Sequence, residues 1–237
     1  MSYGVLAIAT LIAGTVSAVT GFGGAAILLP LLVALYGPRD AIPILTVAQL
    51  IGNASRVGFN RRELNFRVVG WFTLGAVPAA IAGALLFVNA PLSALTRLLG
   101  AFLIGVVVYR HARRQPHTMP LWGFAPLGAG SSFLSALVGS VGPLMAPFFL
   151  AYGLTKGAYI GTEALCSAIM HVVKLVTYGG ASLLSADGII IGWTMGIGLL
   201  AGAYIGKRIV DRVSERVFVV LVEATLVIAG LKFLIGG

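Results

Sequence analysis

The chain has 237 residues, of which 59% are hydrophobic and only 10% are charged, against about 25% charged residues in soluble domains. This composition excludes a soluble catalytic domain and predicts an integral membrane protein, since about eight to ten apolar helical segments would use the whole length. The formal net charge is +9, but the basic residues are scattered between apolar runs and form no patch for a nucleic acid.

The first apolar stretch has no charged residue and no histidine from residue 1 to residue 38. One helix of that length would measure about 57 Å, nearly twice the thickness of the hydrocarbon core. We therefore predict a break at residues 20–24, between apolar helices at about 3–19 and 25–36. Ordinary spans are predicted to follow at about 40–59, 66–88 and 92–109.

A second uncharged stretch covers residues 118–155. Its predicted break lies at residues 139–143, between helices at about 121–138 and 144–152, and spans follow at about 157–178, 188–206 and 213–235. A shift of 118 residues, without a gap, aligns Gly21 with Gly139, Gly24 with Gly142, Asn53 with His171 and Arg56 with Lys174. We predict two structural repeats, residues 1–110 and 120–237, joined by a basic cytoplasmic linker at 111–119.

The basic residues distinguish two ways of folding the interrupted stretches. If each stretch enters the membrane and returns, as a re-entrant hairpin or as a long helix and a short one, 12 of the 16 Lys and Arg residues are cytoplasmic. If each crosses once, the best division is 9 against 7. The positive-inside rule favours the first arrangement, which gives the repeats inverted topology and both termini outside the cytoplasm. We expect a multi-pass protein of the cell membrane, in the bacterial inner membrane.

Two glycine-rich breaks at matching positions predict a site near the middle of the membrane. Non-helical backbone is tolerated at that depth only where protein buries it or where it lines a cavity. The N-terminus of each following half-helix carries N–H donors and positive potential, which suit an anion; close helix packing is the competing explanation of the glycines. The residues predicted to bind substrate here are Gly21, Phe22, Gly23 and Gly24 in the first break and Gly139, Ser140 and Gly142 in the second.

Few polar residues lie inside the predicted spans, and those that do follow helical spacing. Ionisable residues inside a membrane are costly and are candidates for function. Gln49 and Asn53 are predicted to contact the substrate. Arg56 and Lys174 are predicted to bind it by supplying positive potential at the two mouths of the pathway, with snorkelling from the span ends as the alternative.

Two further side chains, both in the span at 157–178, are candidates for proton coupling. His171 is predicted to contact the anion or relay a proton, and Glu163 is the other proton carrier; the alternatives are packing of His171 and an ion pair at Glu163. No metal or cofactor is predicted, since three histidines and one cysteine form no zinc motif and no phosphate-binding loop occurs. Ser140 and His171 form the single nucleophile–base pair, which leaves an intramembrane enzyme as an alternative.

A family resemblance lies in the first break and the half-helix after it. Residues 21–32, GFGGAAILLPLL, resemble the Gly-x-Gly-Gly-x-x-apolar-Pro-Leu-Leu signature that opens each half of the sulfite exporter TauE/SafE family of membrane anion permeases. Residues 139–143, GSVGP, look like a degenerate second copy. The resemblance covers almost the whole chain, and it implies transport of sulfite, sulfonates or related small organic anions driven by ion gradients.

These patterns together predict a membrane permease, not an enzyme, whose partners are a small anionic substrate and the lipid bilayer. Substrate is expected to bind near the midplane between the repeats and to cross by alternating access. A passive anion channel is the nearest alternative, because the same cations would attract anions to a pore. A membrane subunit that serves another protein is disfavoured by loops as short as residues 36–40.

Overall fold

The computed structural model describes residues 3–22, 24–89, 91, 118–139, 141–214, 217 and 220. All regular structure in these residues is helical. The helices are α1 (Tyr3–Thr20), α2 (Gly24–Phe59), α3 (Phe66–Asn89), a 3-10 turn (Leu121–Gly123), α4 (Phe124–Val138), α5 (Gly142–Ala151), α6 (Lys156–Gly180) and α7 (Ala186–Arg212).

The helices confirm an all-α, multi-pass membrane protein. Four helical segments of the described residues are long and apolar enough to cross a bilayer, namely Phe66–Asn89, Leu121–Val138, Lys156–Gly180 and Ala186–Arg212, and the shorter apolar helices Leu6–Thr20 and Ile27–Gly37 add to them. The predicted span at 92–109 and nearly all of the one at 213–235 lie outside the described residues. The division into inverted repeats with a linker at 111–119 stays a prediction.

Helix α2 consists of two segments that meet at a kink. Gly37 has φ 73° and ψ 161°, a backbone conformation that is essentially restricted to glycine. Pro38 follows at the start of the second segment, where its fixed φ suits a first helical turn and its missing N–H costs nothing. The half-helix predicted at 25–36 and the span predicted at 40–59 are therefore these two segments, since α2 begins at Gly24 and ends at Phe59.

Helices of the first half of the chain pack against helices of the second half. The helix before each break lies along a helix of the opposite half: α1 packs on α7, and α4 packs on α3. Helices α2 and α6 contact each other. Glycine permits the close approach: a Cβ at Gly14 would lie 2.5 Å from the carbonyl oxygen of Leu199, and one at Gly83 would lie 2.5 Å from that of Phe133. Contacts through small residues substitute for the hydrophobic driving force that is missing in lipid.

The α3–α4 contact can be tested with two neighbouring glycines of α4. A Cβ at Gly128 would overlap the backbone carbonyl of Phe72, whereas a Cβ at Gly130 meets nothing within 4 Å. Alanine raises helix propensity equally at both positions, by about 1 kcal/mol, but at Gly128 it forces the helices apart, at a typical overpacking cost of about 1–3 kcal/mol. We expect Gly128→Ala to lower, and Gly130→Ala to preserve or raise, the thermal unfolding temperature of the detergent-solubilised protein. Equal temperatures for the two variants would contradict the packing described here.

Candidate anion site at the two helix breaks

The two predicted breaks have the same backbone geometry. Helix α1 ends at Thr20 and α2 begins at Gly24, while α4 ends at Val138 and α5 begins at Gly142. Gly21 and Gly139 both have φ of 82°, in the region that favours glycine. The amide of Gly21 donates to the Ser17 carbonyl at 2.8 Å, and the amide of Gly139 donates to the Ser135 carbonyl at 2.9 Å. The structure thus pairs these positions as the shift of 118 residues does.

A buried cavity lies where the two breaks meet. The breaks are in direct contact, because a Cβ at Gly142 would lie 2.6 Å from the Cβ of Phe22. The cavity has a volume of about 30 Å³ and is lined by Ser17, Gly21, Phe22, Gly24, Ala25, Gln49, Asn53, Arg56, Ser135, Gly139, Val141, Gly142, Glu163, Ser167, Met170 and His171. Such a space holds a few water molecules or one small ion.

Two helices, α2 and α6, bring the polar side chains to the cavity. Gln49, Asn53 and Arg56 follow one another at intervals of four and three residues, which places them on one face of α2. Glu163 and His171 lie on the facing stripe of α6, two turns apart. Because α2 packs against α6, the two polar stripes face each other, and both contribute to the lining of the cavity.

Arg56 links the first break to both polar stripes. Its guanidinium donates to the carbonyl oxygens of Gly21 at 2.6 Å and Ser17 at 3.2 Å, and also to the Asn53 side-chain oxygen. Arg56 Nη1 lies 3.3 Å from Glu163 Oε2 in an ion pair whose two side chains are 6% and 2% exposed. The other carboxylate oxygen of Glu163 accepts from Ser167 Oγ at 2.8 Å. The charges of Arg56 and Glu163 therefore balance each other.

Lys174 holds the second break in the equivalent way. Its ammonium donates to the Ser135 carbonyl at 3.3 Å and to Ser135 Oγ at 3.0 Å, and the side chain is fully buried. Within the described part of the chain, no carboxylate pairs with Lys174. A buried charge without a counter-ion is costly, and this one leaves an excess of positive potential behind the cavity wall at Ser135, which favours an anion.

Two polar groups on the cavity lining have no partner within the protein. Gln49 Nε2 and His171 Nδ1 are both buried without a hydrogen bond, and their residues are 7% and 5% exposed. Leaving a buried polar group unsatisfied costs about 1–3 kcal/mol, so each such group requires an explanation. A bound anion or water in the cavity supplies one, since the Gln49 amide donates and a protonated Nδ1 of His171 donates as well.

The positions of the basic residues differ from the sequence prediction. Arg56 and Lys174 were expected at the mouths of a pathway, but Arg56 is 5% exposed and Lys174 is fully buried, and both bond to backbone at the helix breaks instead of snorkelling. Some backbone donors of the breaks are already used, since the amides of Gly21 and Gly24 donate to Ser17 and the amide of Gly139 donates to Ser135.

Most of the predicted site residues come together at this cavity, although their contact with substrate stays a prediction. Gly23 and Ser140 lie outside the described residues. Sequence reasoning missed Ser17 and Ser135, whose carbonyls accept hydrogen bonds from Arg56 and Lys174. The signal was present, since the shift of 118 residues that aligns the glycines also pairs these serines. No group of three potential metal ligands is close enough to hold an ion among the described residues.

Broken helices that enclose a small polar cavity within a bundle of membrane-crossing helices define a polytopic membrane transporter. The chain belongs to the sulfite exporter TauE/SafE family, whose model matches residues 6–233. One relative, the Probable membrane transporter protein YjnA of Bacillus subtilis (strain 168), is 25% identical over 265 aligned positions that cover 94% of this chain and 96% of the relative. No solved structure matches the chain. The family predicted from residues 21–32 is thereby confirmed.

The first break can be tested against the second through their positive-φ glycines. A Cβ at Gly21 would lie 2.5 Å from the hydroxyl of Tyr159, which donates to the Thr20 carbonyl at 3.0 Å, whereas a Cβ at Gly139 finds ordinary contacts at 3.5 Å. Both alanine variants carry a backbone cost of about 1–2 kcal/mol. We expect Gly21→Ala to lower the unfolding temperature more than Gly139→Ala does, because it alone displaces Tyr159. A larger loss for Gly139→Ala would contradict this geometry.

Proposed function

We propose that this transporter moves a small anion, sulfur-containing or a related organic one, through the cavity between the helix breaks by alternating access coupled to an ion gradient. The observation that carries the proposal is one cavity that combines two unsatisfied polar groups, Gln49 Nε2 and His171 Nδ1, with the buried amine of Lys174 behind its wall, which has no carboxylate partner among the described residues. Groups with this charge and these free donors are complementary to an oxyanion.

The size of the cavity supports a small substrate. A space of about 30 Å³ holds a few water molecules, so a bulky organic anion would require the helices to separate. Sulfite-sized ions and short sulfonates meet this limit with the least rearrangement. The description of the family names sulfite export, which agrees with such a substrate class without fixing it for this chain.

The packing of the helices supports alternating access. The two crossed pairs, α1 with α7 and α3 with α4, each combine a helix that ends at a break with a helix from the other half. Equivalent breaks and equivalent serine contacts at the shift of 118 residues are features of inverted repeats, and such repeats commonly rock against each other around a central site. We propose that the two crossed pairs are the bodies that move.

The substrate class can be tested with the purified protein in detergent. A ligand that binds only the folded state raises the unfolding temperature, so the shift should be positive for at least one of sulfite, thiosulfate, sulfoacetate, taurine and simple carboxylates. Reconstitution in vesicles then separates the two transport classes. Accumulation of the anion against its own gradient supports a coupled transporter, whereas flux that only dissipates the gradient identifies a passive channel.

The roles of His171 and Lys174 on α6 can be tested by substitution. A hydrogen bond to a charged group contributes about 1.5–3 kcal/mol, so His171→Ala should weaken binding of the anion about 10- to 100-fold. Lys174→Ala should lower flux at least as much, because it removes the uncompensated charge. Arg62→Ala removes an exposed cation and serves as the control with unchanged flux. Unchanged flux in both His171→Ala and Lys174→Ala vesicles would remove these residues from the site.

A further inference from the structure

The carboxylate of Glu163 uses two donors that line the cavity. Arg56 Nη1 and Ser167 Oγ each contact one of its oxygens, at 3.3 Å and 2.8 Å. Glu163, Arg56 and Ser167 all line the same cavity, and a guanidinium with a hydroxyl beside it is a favourable pair of donors for an oxyanion. In this state the protein's own carboxylate thus occupies donors that an incoming anion would otherwise use.

The second break, at residues 139–143, shows that a helix break does not need such a carboxylate. The shift of 118 residues places Leu45 opposite Glu163. Lys174 nevertheless holds the Ser135 carbonyl next to the second break, with no carboxylate beside it among the described residues. Arg56 could therefore hold the Gly21 and Ser17 carbonyls alone, so the carboxylate of Glu163 has another role.

We propose that Glu163 competes with the transported anion for the donors Arg56 and Ser167. Glu163 gives up these donors only when its carboxylate takes up one proton. The inference rests on the proposed function of the cavity. When a proton from solution binds the Glu163 carboxylate, the ion pair with Arg56 is lost and Arg56 keeps its charge. The anion then takes the place of the carboxylate, so that one proton enters the site with each anion. The net charge of the site is unchanged for a monovalent anion.

The groups that face Glu163 define which other residues could take up this proton. From α2 the charged group is Arg56, and α6 itself contributes Tyr159, Cys166, His171 and Lys174. Helices α4 and α5 have no titratable residue, α1 and α3 have only Tyr3 and Arg67 at their first turns, and the ionisable residues of α7 lie toward its two ends. His171 is consequently the competing proton acceptor, and the experiment must separate it from Glu163.

The test counts protons that accompany an anion whose own protonation does not change. Thiosulfate and methanesulfonate stay ionised between about pH 5.5 and 8.5, and the heat of binding in buffers of different ionisation enthalpy gives the number of protons taken up. We expect a value near one for the wild-type protein, with affinity falling up to about tenfold for each unit of rising pH while Glu163 is ionised. A count of zero overturns the inference, even though binding itself would uphold the proposed function.

Two glutamine variants assign the proton to its residue. Glu163→Gln keeps the shape of the side chain without the charge, so it should bind the anion with no proton uptake, with affinity at high pH at least tenfold above wild type. In vesicles it should exchange anion down a gradient but not accumulate it in response to a pH difference. Glu63→Gln removes an exposed carboxylate paired with Lys207 at 3.7 Å and should behave as wild type.

Each remaining outcome has a distinct meaning. If Glu163→Gln still takes up a proton, a different residue, His171 first, carries it and the inference is wrong. If Glu163→Gln does not fold, the proton counts of the wild-type protein and of His171→Ala are compared. Proton uptake that persists in His171→Ala supports Glu163 as the acceptor. Proton uptake that disappears in His171→Ala overturns the inference. If no anion in the panel binds the wild-type protein, the proposed function fails and the inference fails with it.

Discussion

The structure depends on satisfying the backbone where two helices are interrupted inside the membrane. A carbonyl left without a donor at that depth would cost several kcal/mol, on the order of 2–7. Arg56 meets part of this need, since it donates to the Gly21 carbonyl. Arg56 and Lys174 also each add a second donor to the carbonyls of Ser17 and Ser135, which already accept from the amides of Gly21 and Gly139. The same bonds bring two positive charges to the place where the breaks meet. The residues that support the interrupted backbone are therefore also the basic residues at the candidate site.

The two halves satisfy this constraint with unequal chemistry. The guanidinium of Arg56 has enough donors to contact the first break, Asn53 and Glu163 together, as its planar fork allows. Among the described residues, the amine of Lys174 donates hydrogen bonds only to Ser135. Glu163 corresponds to Leu45 at the shift of 118 residues, so one charge is compensated and the other is not. The two breaks thus share a backbone geometry but differ in the charge around them.

The sequence predicted the helices, the breaks and most of the cavity lining because a bilayer makes polar residues and non-helical backbone rare and therefore informative. It did not predict the burial of Arg56 and Lys174, because distance from a helix end along the chain does not show which ends lie at the surface. Ser17 and Ser135 were missed because serine is common in membrane helices and usually bonds its own helix. The pairing of α3 with α4 could not be inferred either, since 32 glycines offer too many possible close contacts.

The Arg56–Glu163 pair also bears on how binding and movement are connected. It joins α2 to α6, and Arg56 joins α2 to the end of α1. Since α2 also packs on α7 and α6 on α3, a shift of one crossed pair of helices against the other would strain the bond between α2 and α6. Removing one partner from a buried ion pair costs about 3–5 kcal/mol, because the remaining charge is left unpaired. An anion bound to Arg56, with Glu163 protonated, removes that penalty because both charges are then compensated. In the empty protein with Glu163 ionised, separating the pair still carries this cost. Occupancy by the anion and its proton would therefore lower the barrier to the conformational change, which is the condition for tightly coupled transport.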